Sequence, residues 1–373
     1  MMSLASFGNA LYSGDKSFGF IPNRRRWITI GLTIVVIAIA LLGLRGLNPS
    51  IEFAGGSQFT LTGVADTNQA KADEIMRAHG YREGVKISKL GSGNLRVQAS
   101  QMDTEESTEI SKELAKAYGV DEANADATNI GPTWGHDVTM KALQSLVIFL
   151  VLVGILMAAY FRSFAMSVSA LFALMHDLFV VTGFFALTQV EVSPATVIGF
   201  LTILAYSLYD TVVVFDRVRE LTANLSAQRR YTYGELVNLA VNQTLVRSIN
   251  TSVVAILPVG AILFLGSVLL GAGTLMDISL AIFVGTISGA LSSIFIAPSM
   301  LVVLRNRNKG IAKHTKAVQH QRQADRGNGD NKGTSQTRGE GDNAPEEVVA
   351  HPVRAGRHLG QSAQPKRKKR KKK

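Results

Sequence analysis

The chain of 373 residues contains no cysteine, which excludes disulfide staples and thiolate metal centres and leaves the redox environment open. Charge is sparse: Asp, Glu, Lys and Arg make up 18% of a chain that is 47% hydrophobic. It also lacks a phosphate-binding loop, a nucleophile elbow and metal-ligand spacing, and Gly55-Gly56 is too short for a nucleotide fingerprint. No enzymatic activity, cofactor or metal is therefore expected. The charge that remains leans one way, with 39 Lys plus Arg giving a formal net charge of +11.

Long uncharged runs stand in place of those features. The mean hydropathy is +0.18, and apolar and charged residues are segregated rather than mixed, which is the pattern of a polytopic membrane protein. A first run, 27–44, follows Asn23-Arg24-Arg25-Arg26. At roughly 1.5 Å per residue it can cross about 30 Å of hydrocarbon. Its polar lead and the lack of a small-residue cleavage pattern mark an uncleaved anchor, and its arginines place the N-terminus inside. Further runs at 139–161, 164–187, 194–215, 248–270 and about 276–304 bring the number of spans to six. Both termini then lie on the cytoplasmic side, together with Arg162, Arg217, Arg219, Arg229 and Arg230.

The predicted organisation is a cytoplasmic segment (1–26), a first transmembrane helix (27–45), an extracytoplasmic α/β domain (46–138), a bundle of five further transmembrane helices (139–304) and a basic tail (305–373). In the external segment, SQFTLTG, VKISKL, NLRVQAS and NIGPTW read as strands. TNQAKADEIMRAHG and TEESTEISKELAKAYG read as helices ending at Gly80 and Gly119. The order strand–helix–strand–strand–helix–strand predicts a ferredoxin-like layer. After Asn306 apolar residues run out and the chain ends in PKRKKRKKK. Such a tail is expected to be disordered, with solubilisation and topology as its plain role and anionic lipid or ribosomal RNA as candidate contacts.

Within the spans, Asp210 lies roughly 9 Å inside Asp216 and Arg217 by helical rise. An aspartate in mid-span costs about 2.5–3.5 kcal/mol, so one that persists usually has a partner or a function. Gly199, Thr202, Tyr206 and Asp210 recur at helical spacing and form a predicted small and polar stripe. On the fifth span, Arg247 stands one turn after Gln243 and one before Thr251, at a depth that matches Asp210. The residues leave three readings open: a titratable Asp210–Arg247 switch, a static salt bridge holding two helices together, or an Arg247 that simply snorkels to the interface. His176 and Asp177 on the third span form a second candidate, for proton transfer or for packing, with packing favoured; as neighbours they are expected to point apart. Gly285, Gly289 and Ser293 recur every four residues, with Ser288 and Ser292 beside them, as a helix-contact face. Asp277 reads as a helix N-cap, and Pro258 and Pro298 as candidate kinks.

Several of these stretches together resemble the SecF side of the SecD/SecF family of protein-export membrane proteins, in the resistance-nodulation-division superfamily. They are Phe53-Ala54-Gly55-Gly56, GPTWG (131–135), FRSF (161–164), His176-Asp177, YSLYDTVVVFDRVRE (206–220) and NQTLVRSINTS (242–252), so the resemblance runs from about Ile21 to Leu304. It implies six helices forming half of a twelve-helix unit in the bacterial plasma membrane. It also implies action with SecD beside the SecYEG channel on a translocating unfolded polypeptide, with H+ as coupling ion and Asp210 and Arg247 concerned in proton movement. Tyr209 departs from the family's usual Asn before the aspartate, which changes the groups that solvate Asp210. The competing readings are a small-molecule or lipid exporter of the same superfamily and a membrane scaffold without ion coupling.

Overall fold

In a computed structural model, the described residues are 10–13, 16–91, 93–265 and 273–331. Among the described residues, six helices are long and apolar enough to cross a membrane. In chain order the first is α1 (Arg24–Arg45), which leads through the two-residue strand β1 (Asn48–Pro49) and the single turn α2 (Ile51–Ala54) into the external domain.

That domain contains β2 (Gly56–Leu61), α3 (Gln69–Ala78), β3 (Lys86–Leu90), β4 (Asn94–Ala99), α4 (Thr104–Tyr118) and β5 (Ala125–Ile130). The sheet is antiparallel in the order β3-β4-β2-β5, the arrangement expected for a ferredoxin-like layer. Alternation along β2 and β4 turns Phe59, Leu61, Leu95 and Val97 onto Met76, Ile110 and Leu114 of the helices, all buried. The Asn68 side chain caps α3 and the Asp103 side chain caps α4. Gly119 ends α4 in the left-handed conformation. The fourth strand differs from expectation: it is formed by ADATNI rather than NIGPTW, because Pro132 occupies the first turn of the next helix.

The remaining spans are α5 (Pro132–Phe161), α6 (Phe164–Thr188), α7 (Pro194–Thr222), α8 (Tyr233–Leu265) and a composite sixth. The sixth consists of α9 (Gly273–Leu291), a π-helical turn Ser292–Ile296, and α10 (Ala297–Asn306). In the π turn, the amide of Ala297 bonds the carbonyl of Ser292, five residues back. Pro298 follows at once and has no N–H to continue regular α bonding. The strand β6 (Glu191–Val192), between α6 and α7, pairs in parallel with β1. Asp277 is not an N-cap: α9 begins at Gly273, so the residue lies inside the helix, where it is buried.

The disorder expected from Asn306 onward does not hold for the first part of the tail. Residues Lys309–Asn331 form a helix, α11. It docks through the fully buried Val318, His314 against the carbonyl of Gln228, and Arg322 on Glu235 at 2.7 and 2.9 Å. Apolar residues recur just often enough in 309–318 to give this helix one adherent face, a signal that its average polarity hides. The run 332–373, with its terminal lysines and arginines, lies outside the described residues.

Candidate functional site

The centre of the bundle holds two carboxyl groups on adjacent helices. Asp177, near the middle of α6, has no exposed surface, and Asp210, on α7, is 4% exposed. Serine hydroxyls from neighbouring helices surround both. Asp177 Oδ2 accepts from Ser207 Oγ of α7 at 2.6 Å and from Ser292 Oγ at 2.7 Å, while Oδ1 accepts from Ser288 Oγ at 2.8 Å. Asp210 Oδ1 accepts from Ser248 Oγ of α8 at 2.9 Å, and its Oδ2 from Ser293 Oγ at 2.8 Å. Hydrogen bonds to a charged group contribute about 1.5–3 kcal/mol each. Three of them are enough to offset the cost of keeping a carboxyl in the membrane interior, about 2.5–3.5 kcal/mol.

Close approach of the helices makes these bonds possible. A Cβ built at Gly289 would lie 2.8 Å from Ser207 Cβ, so only glycine lets the sixth span come near enough for Ser288 and Ser292 to reach across. Gly285 makes the same kind of contact with Ile203. The stripe expected to serve packing alone therefore does two things: its glycines set the distance and Ser293 joins the polar cluster. Each of these serines has a single proton, and two of them have a second acceptor on their own helix. Ser293 Oγ lies 3.0 Å from the carbonyl of Ala290, and Ser292 Oγ 3.2 Å from that of Gly289. Either hydroxyl can thus donate to a carboxylate, or turn its proton to the helix and accept from a carboxylic acid.

The structure does not bring Arg247 to Asp210. Arg247 is exposed on the outer surface of α8, and its Nη2 donates to the Tyr209 hydroxyl at 3.2 Å. Tyr209, one residue from the acid, points outward and is 52% exposed. The physical reason is angular: successive residues on a helix diverge by about 100°, and Asp210 turns inward where Tyr209 turns out. The expected stripe divides in the same way. Gly199 and Asp210 are buried, Tyr206 is half-buried with its hydroxyl donating to the carbonyl of Thr251 at 2.9 Å, and Thr202 is exposed and bonded to its own helix. Thr251 donates back to the carbonyl of Arg247, and Gln243 accepts from Arg217 Nε at 2.7 Å.

His176 and Asp177 do not point apart: His176 Nδ1 lies 3.2 Å from Asp177 Oδ1, and the imidazole folds back over its neighbour. Its Nε2 is buried beside Gly31 of α1, with no hydrogen-bond partner among the described residues. The sequence reading passed over Ser207, Ser248, Ser288 and Ser292 as acid partners. Their signal was present in part, since Ser207 lies one turn before Asp210 and Ser288 and Ser292 flank the glycine stripe. A serine in an apolar run satisfies its own helix so often that spacing alone does not select it.

Residues 110–307 match the family described as protein export membrane protein SecD/SecF, C-terminal, and residues 40–62 match the SecD/SecF GG motif. Protein translocase subunit SecF of Streptomyces coelicolor is 44% identical over 305 residues, covering 82% of this chain and 81% of that one. Protein translocase subunit SecF of Mycobacterium tuberculosis (strain H37Rv) is 38% identical over 323 residues, covering 84% and 73%. Among solved structures, the crystal structure of SecDF, a translocon-associated membrane protein from Thermus thermophilus, superposes with a TM-score of 0.71 at 28% identity. That match covers 82% of this chain and 40% of the SecDF chain.

Proposed function

The chain belongs to the SecD/SecF family of protein-export membrane proteins, and from that premise we propose that it works with a SecD partner beside the SecYEG channel, drawing an exported unfolded polypeptide outward at the expense of the proton gradient. Asp210 is the proton carrier in this reading. The observation that carries it is an aspartate 4% exposed in mid-span, held by one hydroxyl from α8 and one from the sixth span. Gain or loss of its proton changes what both neighbouring helices can bond. One elementary charge crossing 100 mV releases about 2.3 kcal/mol, enough to bias a two-state rearrangement of helices.

Arg247 enters this cycle from outside. Its bond to Tyr209 OH is a neutral-acceptor bond at an exposed site, easily exchanged for the carboxylate one residue away. The outer polar surface also supports a partner: Tyr209, Arg247 and Asn250 are exposed on α7 and α8, and lipid would leave the charge of Arg247 and most of its donors unmatched. A second group of helices supplied by SecD covers that stripe. The same chain length relation supports this, since this chain corresponds to 40% of the Thermus SecDF chain. The N-terminus and α11 are assigned to the cytoplasmic side by the arginines at 24–26, 217, 219, 229 and 230.

The test uses energised inverted vesicles carrying the full complex. Asp210→Asn is expected to abolish the part of preprotein translocation that depends on the proton gradient while leaving complex assembly intact. Retention of gradient-dependent export in that variant would remove Asp210 from the mechanism, and failure of assembly would make it a structural tie.

A further inference from the structure

Asp177 is more deeply buried than Asp210 and gathers more partners, yet the proton cycle described above does not use it. Its three hydroxyl donors come from α7, the helix that carries Asp210, and from the sixth span, which supplies one of the two donors to Asp210. Ser207 lies on α7 one turn before Asp210, and Ser292 opens the π turn and immediately precedes Ser293, the donor to Asp210 Oδ2. A π turn is rare, occurs mostly as a single turn inside an α-helix and marks a place where the helix bends, so a side-chain contact there can set its register. Asp177 supplies that contact at the first residue of the turn, and Pro298 prevents the turn from closing into a regular helix.

We infer that Asp177 is a positioning residue for Asp210: by holding Ser207 and Ser292 together it fixes the π turn of the sixth span so that Ser293 meets the Asp210 carboxyl. His176 completes the arrangement through its Nδ1 contact with Asp177 Oδ1. At that level α1 and the sixth span present no ionisable side chain to the pair. Arg24, Arg25, Arg26 and Arg45 lie at the ends of α1, and Asp277 and Arg305 near the ends of the sixth span. His136, Asp137, Lys141 and Tyr160 of α5 are likewise near its ends, so the mid-span groups are Asp210, Tyr206 and Tyr209 of α7, with Arg247 of α8 on the outward side against Tyr209. The consequence for export rests on the reading of Asp210 as proton carrier, but the positioning itself does not.

The experiment is difference infrared spectroscopy of the full chain in lipid vesicles, taken between acid and neutral pH. The Asp210 carboxyl band is identified by its loss in Asp210→Asn, and Ser293→Ala shows how far that band moves when its donor is removed. Asp177→Asn and Ser292→Ala are expected to move the band in the same direction as Ser293→Ala, whereas Ser292→Thr, which keeps the hydroxyl, leaves it in place. An Asp210 band unmoved by Asp177→Asn and Ser292→Ala overturns the inference. If Asp210 gives no band, the proton-carrier reading fails on its own, and amide exchange at residues 292–297 decides the positioning. A rise of about tenfold in Asp177→Asn but not in Asp210→Asn sustains it, and an unchanged rate overturns it.

Discussion

Asp177 and Asp210 are chemically identical and sit on neighbouring helices, and their difference lies in who reaches them. Three hydroxyls and an imidazole enclose Asp177, whereas Asp210 has two hydroxyls and lies next to an outward-facing Tyr209–Arg247 contact. Glycine decides that reach. A methyl group at Gly285 would overlap the Ile203 side chain at several atoms, and the buried face of α7 leaves it little room to turn. Gly285→Ala is therefore expected to lower stability by about 1–3 kcal/mol, the usual cost of overpacking, visible as a lower unfolding temperature of the purified chain in detergent. Asp210 was legible in the sequence because a carboxylate in an apolar run has few innocent explanations. Its serine partners were not, because serine costs little in a membrane helix and only the crossing of three helices shows which of them look inward.

At the scale of elements, the seam between the external domain and the bundle rests on very short ones. β1 and β6 pair over two residues each, and the sheet presents Arg96 and Gln98 of β4 to Glu191 of β6. Arg96 and Glu191 form an ion pair whose side chains are 12% and 13% exposed, and Gln98 Nε2 donates to Glu191 Oε1 at 2.6 Å. Removing one member of a nearly buried pair leaves the other charge unmatched, at a cost of about 3–5 kcal/mol. Glu191→Gln should thus loosen the seam, raising amide exchange in 94–99, and the swap Arg96→Glu with Glu191→Arg should restore part of the protection. The six long helices and the order of strands and helices in the external domain follow from patterning and caps, as Asn68, Asp103 and Gly119 show. A two-residue strand carries no periodicity, and Glu191 reads simply as a loop residue until the sheet is placed above it.

For the whole molecule, the end of the bundle opposite the α/β domain is closed by segments distant in sequence. Phe18 and Ile21 donate backbone hydrogen bonds to Asn242 and Asn238 of α8, Tyr12 lies beneath Arg217, and α11 returns to Glu235 and Gln228. Two variants separate the forces that hold α11. Arg322→Ala removes a pair roughly half exposed and should cost no more than about 1 kcal/mol. Val318→Asp puts a charge in a fully buried position and should release the helix, so that trypsin cuts at Arg229 and Arg230 several-fold faster. Equal protease resistance in both variants would show that docking does not depend on Val318. Span number, the external layer and the placing of Asp210 in mid-span follow from composition and periodicity, because these are properties of one segment at a time. Arg247 turning to Tyr209, Asp177 becoming the most enclosed acid, and Ser292 and Ser293 serving two different carboxyls came only from the packing of helices, because each depends on the angle and distance between segments that are far apart in the chain.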